Sequence, residues 1–390
     1  MAAHDRVDVA ELEPSVARLD AAFAAWAGAQ IDAVAAMVEA VRSGAVPSTE
    51  VDLAEGYRWI TRLTSLAQEW FIEKAVDPLH PQMFRCQDET RKLMVDNPDV
   101  TYWFAALDDS RAYRLTGRRG EAVYIGLTFG SPIFAGGGSG GQGLGTLTQR
   151  HLDEFTLDGE GRFEIVIAPD RPVGWEGDFI ALVPGVGQLA VRETHADART
   201  ERWTEWSIEL LDPEPPPVLE AEWLAAKLEL ASLFVTFVAA TCRNMWVEAG
   251  DRLNVIGGKS GAEHVADRSD EVKSHSSADM EYHGGRFALG DDEALVLTVT
   301  APEEFVYWGL TIVNPWMESH DYLHRQVNLN FATAERSADG TWRLVIAARA
   351  PGVPNWIDTG GRREGYVLIR WCLAPGARPP ECELVPLGEI

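Results

Sequence analysis

The chain has 390 residues, 46% of them hydrophobic, enough for one large core or two adjoining ones. Sixty acidic residues against 34 basic ones give a formal charge of −26, which repels nucleic acid and anionic membrane surfaces, so neither is expected as a partner. The four cysteines, Cys86, Cys242, Cys372 and Cys382, show neither C-x-x-C nor zinc-type spacing and read as reduced structural residues.

The N-terminus, "MAAHDRVDVAELEP", lacks the basic-then-apolar order of a secretory signal, and a cytoplasmic protein is expected. Over residues 10–42, Leu19, Phe23, Trp26, Ile31, Val34 and Val38 recur every three to four positions, predicting one or two amphipathic helices. A second helix is predicted over residues 52–76, with Tyr57, Ile60, Leu63, Leu66, Trp70 and Phe71 on its apolar side. From 102 to 211 the texture changes to short β-branched and aromatic runs, "AVYIGLTF", "RFEIVIAP" and "QLAVRET", broken by glycines and Asp-Gly turns. The stiff "DPEPPPV" stretch marks a boundary, followed by a helix over 219–249, a polar loop of about thirty residues and further strands over 287–384. No uncharged apolar run reaches the roughly 18 residues of a membrane span. The most apolar stretch, residues 231–241, is too short and follows Lys227 and Glu229. The expected division is a helical segment 1–50, a helix and first β unit 51–217, and a long helix and second β unit 218–390.

The stretch "IFAGGGSGGQGLGTL" fits G-x-G-x-x-G from Gly136 and again from Gly138. A phosphate-binding glycine loop needs a strand before it and a helix after it, because the helix N-terminus holds the anion. Here "TLTQRHLDEFTLDGEGRFEIVIA" follows, reading as a loop, a turn and another strand. The match is accidental, and no nucleotide cofactor is expected.

An internal repeat runs through the β regions. "YIGLTFGSP" (124–132) and "YWGLTIVNP" (307–315) share Tyr-x-Gly-Leu-Thr and a proline at the same distance. "DGEGRFEIVIAPDRPVGW" answers "DGTWRLVIAARAPGVPNW", and the next strands place Arg192 and Arg370 alike. The fold class is therefore α+β, with two duplicated antiparallel β-sandwich or jelly-roll-like units, each preceded by α-helices.

Residues present in both units serve the shared scaffold, so those peculiar to one are the functional candidates. Arg370 accordingly reads first as a buried ion-pair member. The strongest candidate is "NPWMESHDYLHRQ". Asn314 as cap and Pro315 at the first helical position predict a short helix, with His320 and His324 one turn apart on one face. Such a pair can bind a divalent metal with Glu318 or Asp321, or serve as acid and base without one; the bland alternative is a solvated helix with an Asp321–Arg325 pair. No metal is assigned. His283 in "EYHGGRF" is a second candidate, against a plain loop entering a strand. In "PNWIDTGGRREG", Asp358 caps a turn or acts as a base, and Asn355 and Trp356 line a pocket or join the core. His151 and His195 read as parts of exposed polar turns. Trp308, Trp316, Trp356 and Trp371 are compatible with a cleft for a bulky apolar ligand.

The segments "YRLTGRRGEAVYIGLTFG", "GRFEIVIAPDRPVGW", "YWGLTIVNPWMESHDYLHRQVNLN" and "APGVPNWIDTGGRREGYVLIRW" resemble the bacterial proteins grouped as domain of unknown function 1214, over about residues 50–375. The resemblance implies a two-part protein of sandwich or jelly-roll character and no established reaction. Its motif positions fall on Trp316, Ser319 and Asp321, and on Asn355, Trp356, Asp358, Thr359, Gly361 and Gly365. Where similar proteins carry a histidine in the preceding bend, this chain has Arg349, and His320 and His324 are not fixed features of the family.

The function expected from all this is a nucleotide-cofactor-independent enzyme of small-molecule metabolism. It would act on a bulky apolar substrate by acid–base chemistry of hydrolase or lyase/isomerase type. Asp321, His320, His324, Asp358 and His283 would be the acid–base set; Trp316, Asn355, Trp356, Tyr322 and Arg370 would shape the pocket. The alternatives are a non-catalytic ligand-binding or assembly protein, compatible with a homo-oligomer, and a metal-dependent hydrolase.

Overall fold

A computed structural model describes residues 9–74, 77–132, 146–215, 218–250, 252–257 and 279–390. The glycine-rich stretch over Gly136 and Gly138 and most of the polar loop after the third helix lie outside them. Three long helices form: α1 (Val9–Arg42), α2 (Glu50–Ala67) and α3 (Ala221–Glu248). Thr49 opens α2 with a reciprocal capping box, its hydroxyl accepting from the Asp52 amide at 3.2 Å while its own amide donates to the Asp52 carboxylate. A π-helical turn, Gln68–Lys74, continues α2 and presents Trp70 and Phe71 to the core.

The strands of the first unit are β1 (Phe84–Gln87), β2 (Val100–Ala106), β3 (Tyr113–Arg118), β4 (Tyr124–Gly130), β5 (Thr146–His151), β6 (Arg162–Ala168), β7 (Asp178–Ala181), β8 (Gln188–Thr194) and β9 (Glu205–Leu210). Those of the second are β10 (Met280–Ala288), β11 (Glu293–Val299), β12 (Tyr307–Val313), β13 (Asn328–Asn330), β14 (Trp342–Ala347), β15 (Trp356–Asp358), β16 (Glu364–Cys372) and β17 (Glu381–Pro386). The sheets run β1-β2-β8-β4-β5 and β7-β6-β3-β9 in unit one, and β10-β16-β12-β13 and β15-β14-β11-β17 in unit two. Apart from β1 the two orders correspond strand for strand, so the repeat read from the sequence is a duplicated sandwich. Register repeats too: Gly126 pairs with Arg192, and Gly309 with Arg370. One detail departs from an all-antiparallel reading, since β6–β7 and β14–β15 are parallel in both units.

Alternation along the strands builds each interior. Ile125, Leu127 and Phe129 of β4 point into the first sandwich with Leu115, Ile165 and Leu189. Trp308, Leu310 and Ile312 of β12 point into the second with Leu344, Val367 and Trp371. The opposite faces of β2, β12 and β16 lie under a separate core that all three helices share, from Trp26 and Trp59 to Phe104, Trp316 and Leu368. Within this core α1 packs along α3. By length and composition Glu13–Arg42 of α1 and the whole of α3 are long and apolar enough to cross a membrane. Part of that apolarity is used in the shared core; Arg18 of α1 also joins Glu222 and Glu229 of α3 across the helix pair.

Candidate functional site: a cleft between the two units

A cleft of 710 Å³ opens where the β1–β2 region and the turn after β8 meet the segment preceding β13. Its walls come from residues 85–102, 197–203 and 322–333, so both units contribute.

The unit-one wall is fixed by polar turns. Asp88 accepts from the amides of Thr90 and Arg91, both at 2.8 Å, and pairs with the Arg91 guanidinium. Met94 and Val95 then adopt left-handed conformations, φ 47° and 61°, uncommon for any side chain and unusual for a β-branched one. Two contacts from unit two hold them: the Val95 amide donates to the Met317 carbonyl at 2.7 Å, and Arg370 donates to the Val95 carbonyl. Asp96 faces Ser319, accepting from its amide at 2.8 Å and its hydroxyl at 2.6 Å.

The floor holds a polar chain. Asn97 Nδ2 donates to the Tyr307 hydroxyl at 3.0 Å, which donates to Asp99 at 2.8 Å; Asn328 donates to the other Asp99 oxygen at 2.8 Å. Burial raises the Asp99 carboxyl above the usual carboxylate range, against the pull of these donors and of Arg370. Beside it, Thr101 Oγ1 lies 3.4 Å from His195 Nε2, and His195 Nδ1 lies 3.0 Å from Glu201. His195 is fully buried, not part of an exposed turn as its polar neighbours suggest. The carboxylate on one ring nitrogen orients the other toward the hydroxyl.

The expected helix after Asn314 does not form. The Asn314 side chain accepts from the amides of Trp316 and Glu318, making an Asx turn, and Ser319 then bridges back to Val313. His320 and His324 therefore do not share a helix face. His320 is buried with no hydrogen-bond partner on either ring nitrogen among the described residues, and burial beside Arg362, Lys92 and Arg325 holds it well below the usual histidine range. His324 is exposed, 2.9 Å from Asp321, which replaces the Asp321–Arg325 pair. Arg325 instead joins Asp358 at 2.7 Å. The Asp358 amide also donates to the Gln326 carbonyl, so residue 358 and this segment are neighbours. No group of three His, Cys, Asp or Glu side chains among the described residues could hold a metal ion.

Most of the remaining candidates fall outside the cleft. Trp316 is buried against α2, stacked on Trp59 at 5.4 Å and donating to the Asp52 carbonyl at 2.8 Å. Trp308 and Trp371 fill the second sandwich, and Trp356 lies in a small separate cluster with Val353 and Val385. The four tryptophans form no cleft, because large apolar rings gain more by entering the cores. Asn355, at φ 59°, holds the Glu335 backbone. His283 is buried in β10, 3.1 Å from Glu281. Arg370 bonds Thr311 and the Val95 carbonyl, with no carboxylate among its hydrogen bonds to the described residues. Of the ten candidates, Tyr322 and His324 line the cleft. Lys92 lies 4.7 Å from the Tyr322 ring and donates to the Ser319 and His320 carbonyls at 2.7 and 2.8 Å.

Sequence reasoning missed Asp99, although a signal existed. "DVTY" (99–102) and "DMEY" (279–282) are a further piece of the repeat, and Tyr124 donates to Asp279 at 2.8 Å just as Tyr307 does to Asp99. Each unit's tyrosine crosses to the aspartate of the other.

No family model matches the chain, and no curated protein does. Among solved structures the chain is similar to an uncharacterised protein from Burkholderia cenocepacia, 27% identical with a TM-score of 0.81, over 94% of this chain and 98% of that one. A weaker likeness, 15% identical with a TM-score of 0.47, joins 86% of this chain to all of the VPA0106 protein from Vibrio parahaemolyticus. The span of the first likeness takes in the helices and both sandwich units.

Proposed function

We propose that the protein is an acid–base enzyme of small-molecule metabolism whose reaction takes place in the cleft between the two units, without a nucleotide cofactor. The observation that carries this reading is Asp99, a carboxyl raised by burial that lines the cleft beside the Thr101–His195–Glu201 chain. A carboxyl raised by burial, with an imidazole oriented by a carboxylate close in the fold, supplies groups of the kind that exchange protons with a substrate. Strained backbone at Met94, Val95 and Met317, close to the same floor, adds support. Charged side chains line the cleft, which favours a small polar substrate over the bulky apolar one expected from the tryptophans. The chemistry is of hydrolase or lyase/isomerase type.

The duplication favours a second reading, a non-catalytic binding protein. Asp279 and Tyr124 repeat the Asp99–Tyr307 pair, as a purely structural joint would. The two readings separate in one experiment. A metabolite library is incubated with the wild type and with Asp99→Asn, and consumption is followed by mass spectrometry. The enzyme reading expects a compound consumed by the wild type and spared by the variant, with at least a hundredfold loss of rate, about the weight of one proton-transfer group. A compound that binds yet is consumed by neither protein leaves the binding reading.

A further inference from the structure

We infer that the cleft takes a small organic oxyanion, a carboxylate or a phosphate monoester, held by Arg85 and Arg199. This deepens the proposal above by naming the substrate class of the same site. Asp88 is occupied by Arg91 and Thr90, Asp96 by Ser319, and Asp99 by Tyr307 and Asn328. Asp197 is taken by its own turn, accepting from the Arg199 amide at 3.1 Å and the Thr200 hydroxyl at 2.8 Å. The cation of Arg325 is neutralised by Asp358, and that of His324 by Asp321 when protonated.

Two guanidinium groups make no hydrogen bond to a carboxylate among the described residues. The Arg199 side chain donates to the Tyr322 carbonyl and has no carboxylate partner among the described residues. Arg85 reaches Glu89 only at 3.7 Å, and its buried Nε has no partner. Both arginines line the cleft, Arg199 without a carboxylate partner among the described residues and Arg85 with only the half-exposed Glu89 at 3.7 Å, and guanidinium groups so placed mark a site for an external oxyanion. Arg85 lies 4.4 Å over the Trp203 ring, and the indole N–H of Trp203 donates to the Ala198 carbonyl, next to Arg199. Stacking fixes the guanidinium plane and leaves its edge for an acceptor. The partly exposed indole beside it suits an anion carried on a ring.

The test is isothermal titration of the full chain with benzoate, inorganic phosphate and benzylamine, which separate carboxylate, phosphate and cation. At least one anion is expected to bind with a Kd below about 10 mM, and benzylamine is not. Arg199→Gln, at an exposed position, should weaken the anion about tenfold, and Arg85→Gln likewise. Neither anion binding, benzylamine binding more tightly, or anion affinity unchanged in both arginine variants would each overturn the inference. Asp99→Asn keeps the two claims apart: loss of turnover with anion binding retained supports both. Unchanged turnover in Asp99→Asn, with binding lost in the arginine variants, sinks the acid–base reading and leaves the anion site standing.

Discussion

Gly309 is a glycine because Tyr307 lies across it. Residues two apart on a strand share a face, and a Cβ on Gly309 would sit 1.7 Å from the Tyr307 hydroxyl; on Gly126 it would sit 2.6 Å from that of Tyr124. The Tyr-x-Gly of the repeat is therefore one device, a ring folded flat over a missing side chain so that its hydroxyl reaches the other unit. Gly309→Ala should destabilise the protein by about 1–3 kcal/mol, read as a lower urea midpoint, because the ring has no free space into which to move. The same scale explains why His320 misled. A histidine in a polar segment invites a catalytic reading, yet the chain turns at Asn314 and carries this ring inward while His324 stays in solvent. Sequence states which side chains exist; the turn decides which of them meet water.

At the scale of elements, the segment 314–320 is clamped between α2 and the 88–97 loop. Glu318 pairs with Arg62 of α2 at 3.0 Å, and burial pushes its carboxyl up to about 7 despite that partner. An acid whose folded pKa is raised favours the folded state in its protonated form. Its contribution is present below the unfolded value and is lost as pH rises toward 7, by about 3 kcal/mol in total. Urea denaturation of wild type and Glu318→Gln from pH 4 to 8 should show the wild type losing stability relative to the variant across that window, then running parallel. His320 works in the opposite sense, since its folded pKa is lowered and acidification below its unfolded value costs stability. Helix and strand positions were readable beforehand because their periodicity is a local property. The helix after Asn314 was not, because an Asx turn and a cap use the same residue, and tertiary contacts to Asp96, Lys92 and Arg62 selected between them.

Across the whole molecule the two sandwiches are joined by exchanged tyrosines, and the joint is not equally strong on its two sides. Removing the Tyr307 hydroxyl leaves the buried Asn97 amide without its acceptor, while Asp99 keeps Asn328 and Asn330. On the other side no amide is stranded, because Gln149, which also donates to the Tyr124 hydroxyl, keeps Asp279, and Asp279 keeps His151. Tyr307→Phe should therefore cost about 1–3 kcal/mol, the penalty for orphaned buried polar groups, and Tyr124→Phe distinctly less. Thermal unfolding of both variants checks this, and equal losses would mean that Asp99 is no more buried in effect than its counterpart. The order of the strands, their duplication and the matched arginines were all written in the chain, because a repeat compares the sequence with itself and needs no third dimension. The cleft was not, since Arg85, Asp99 and Arg199 of unit one meet Tyr322 of unit two only where the two units pack. The sequence alone determined what each unit is, through local periodicity and internal likeness. Only the tertiary structure decided where the units face each other, because burial and charge at that junction depend on residues more than two hundred positions apart.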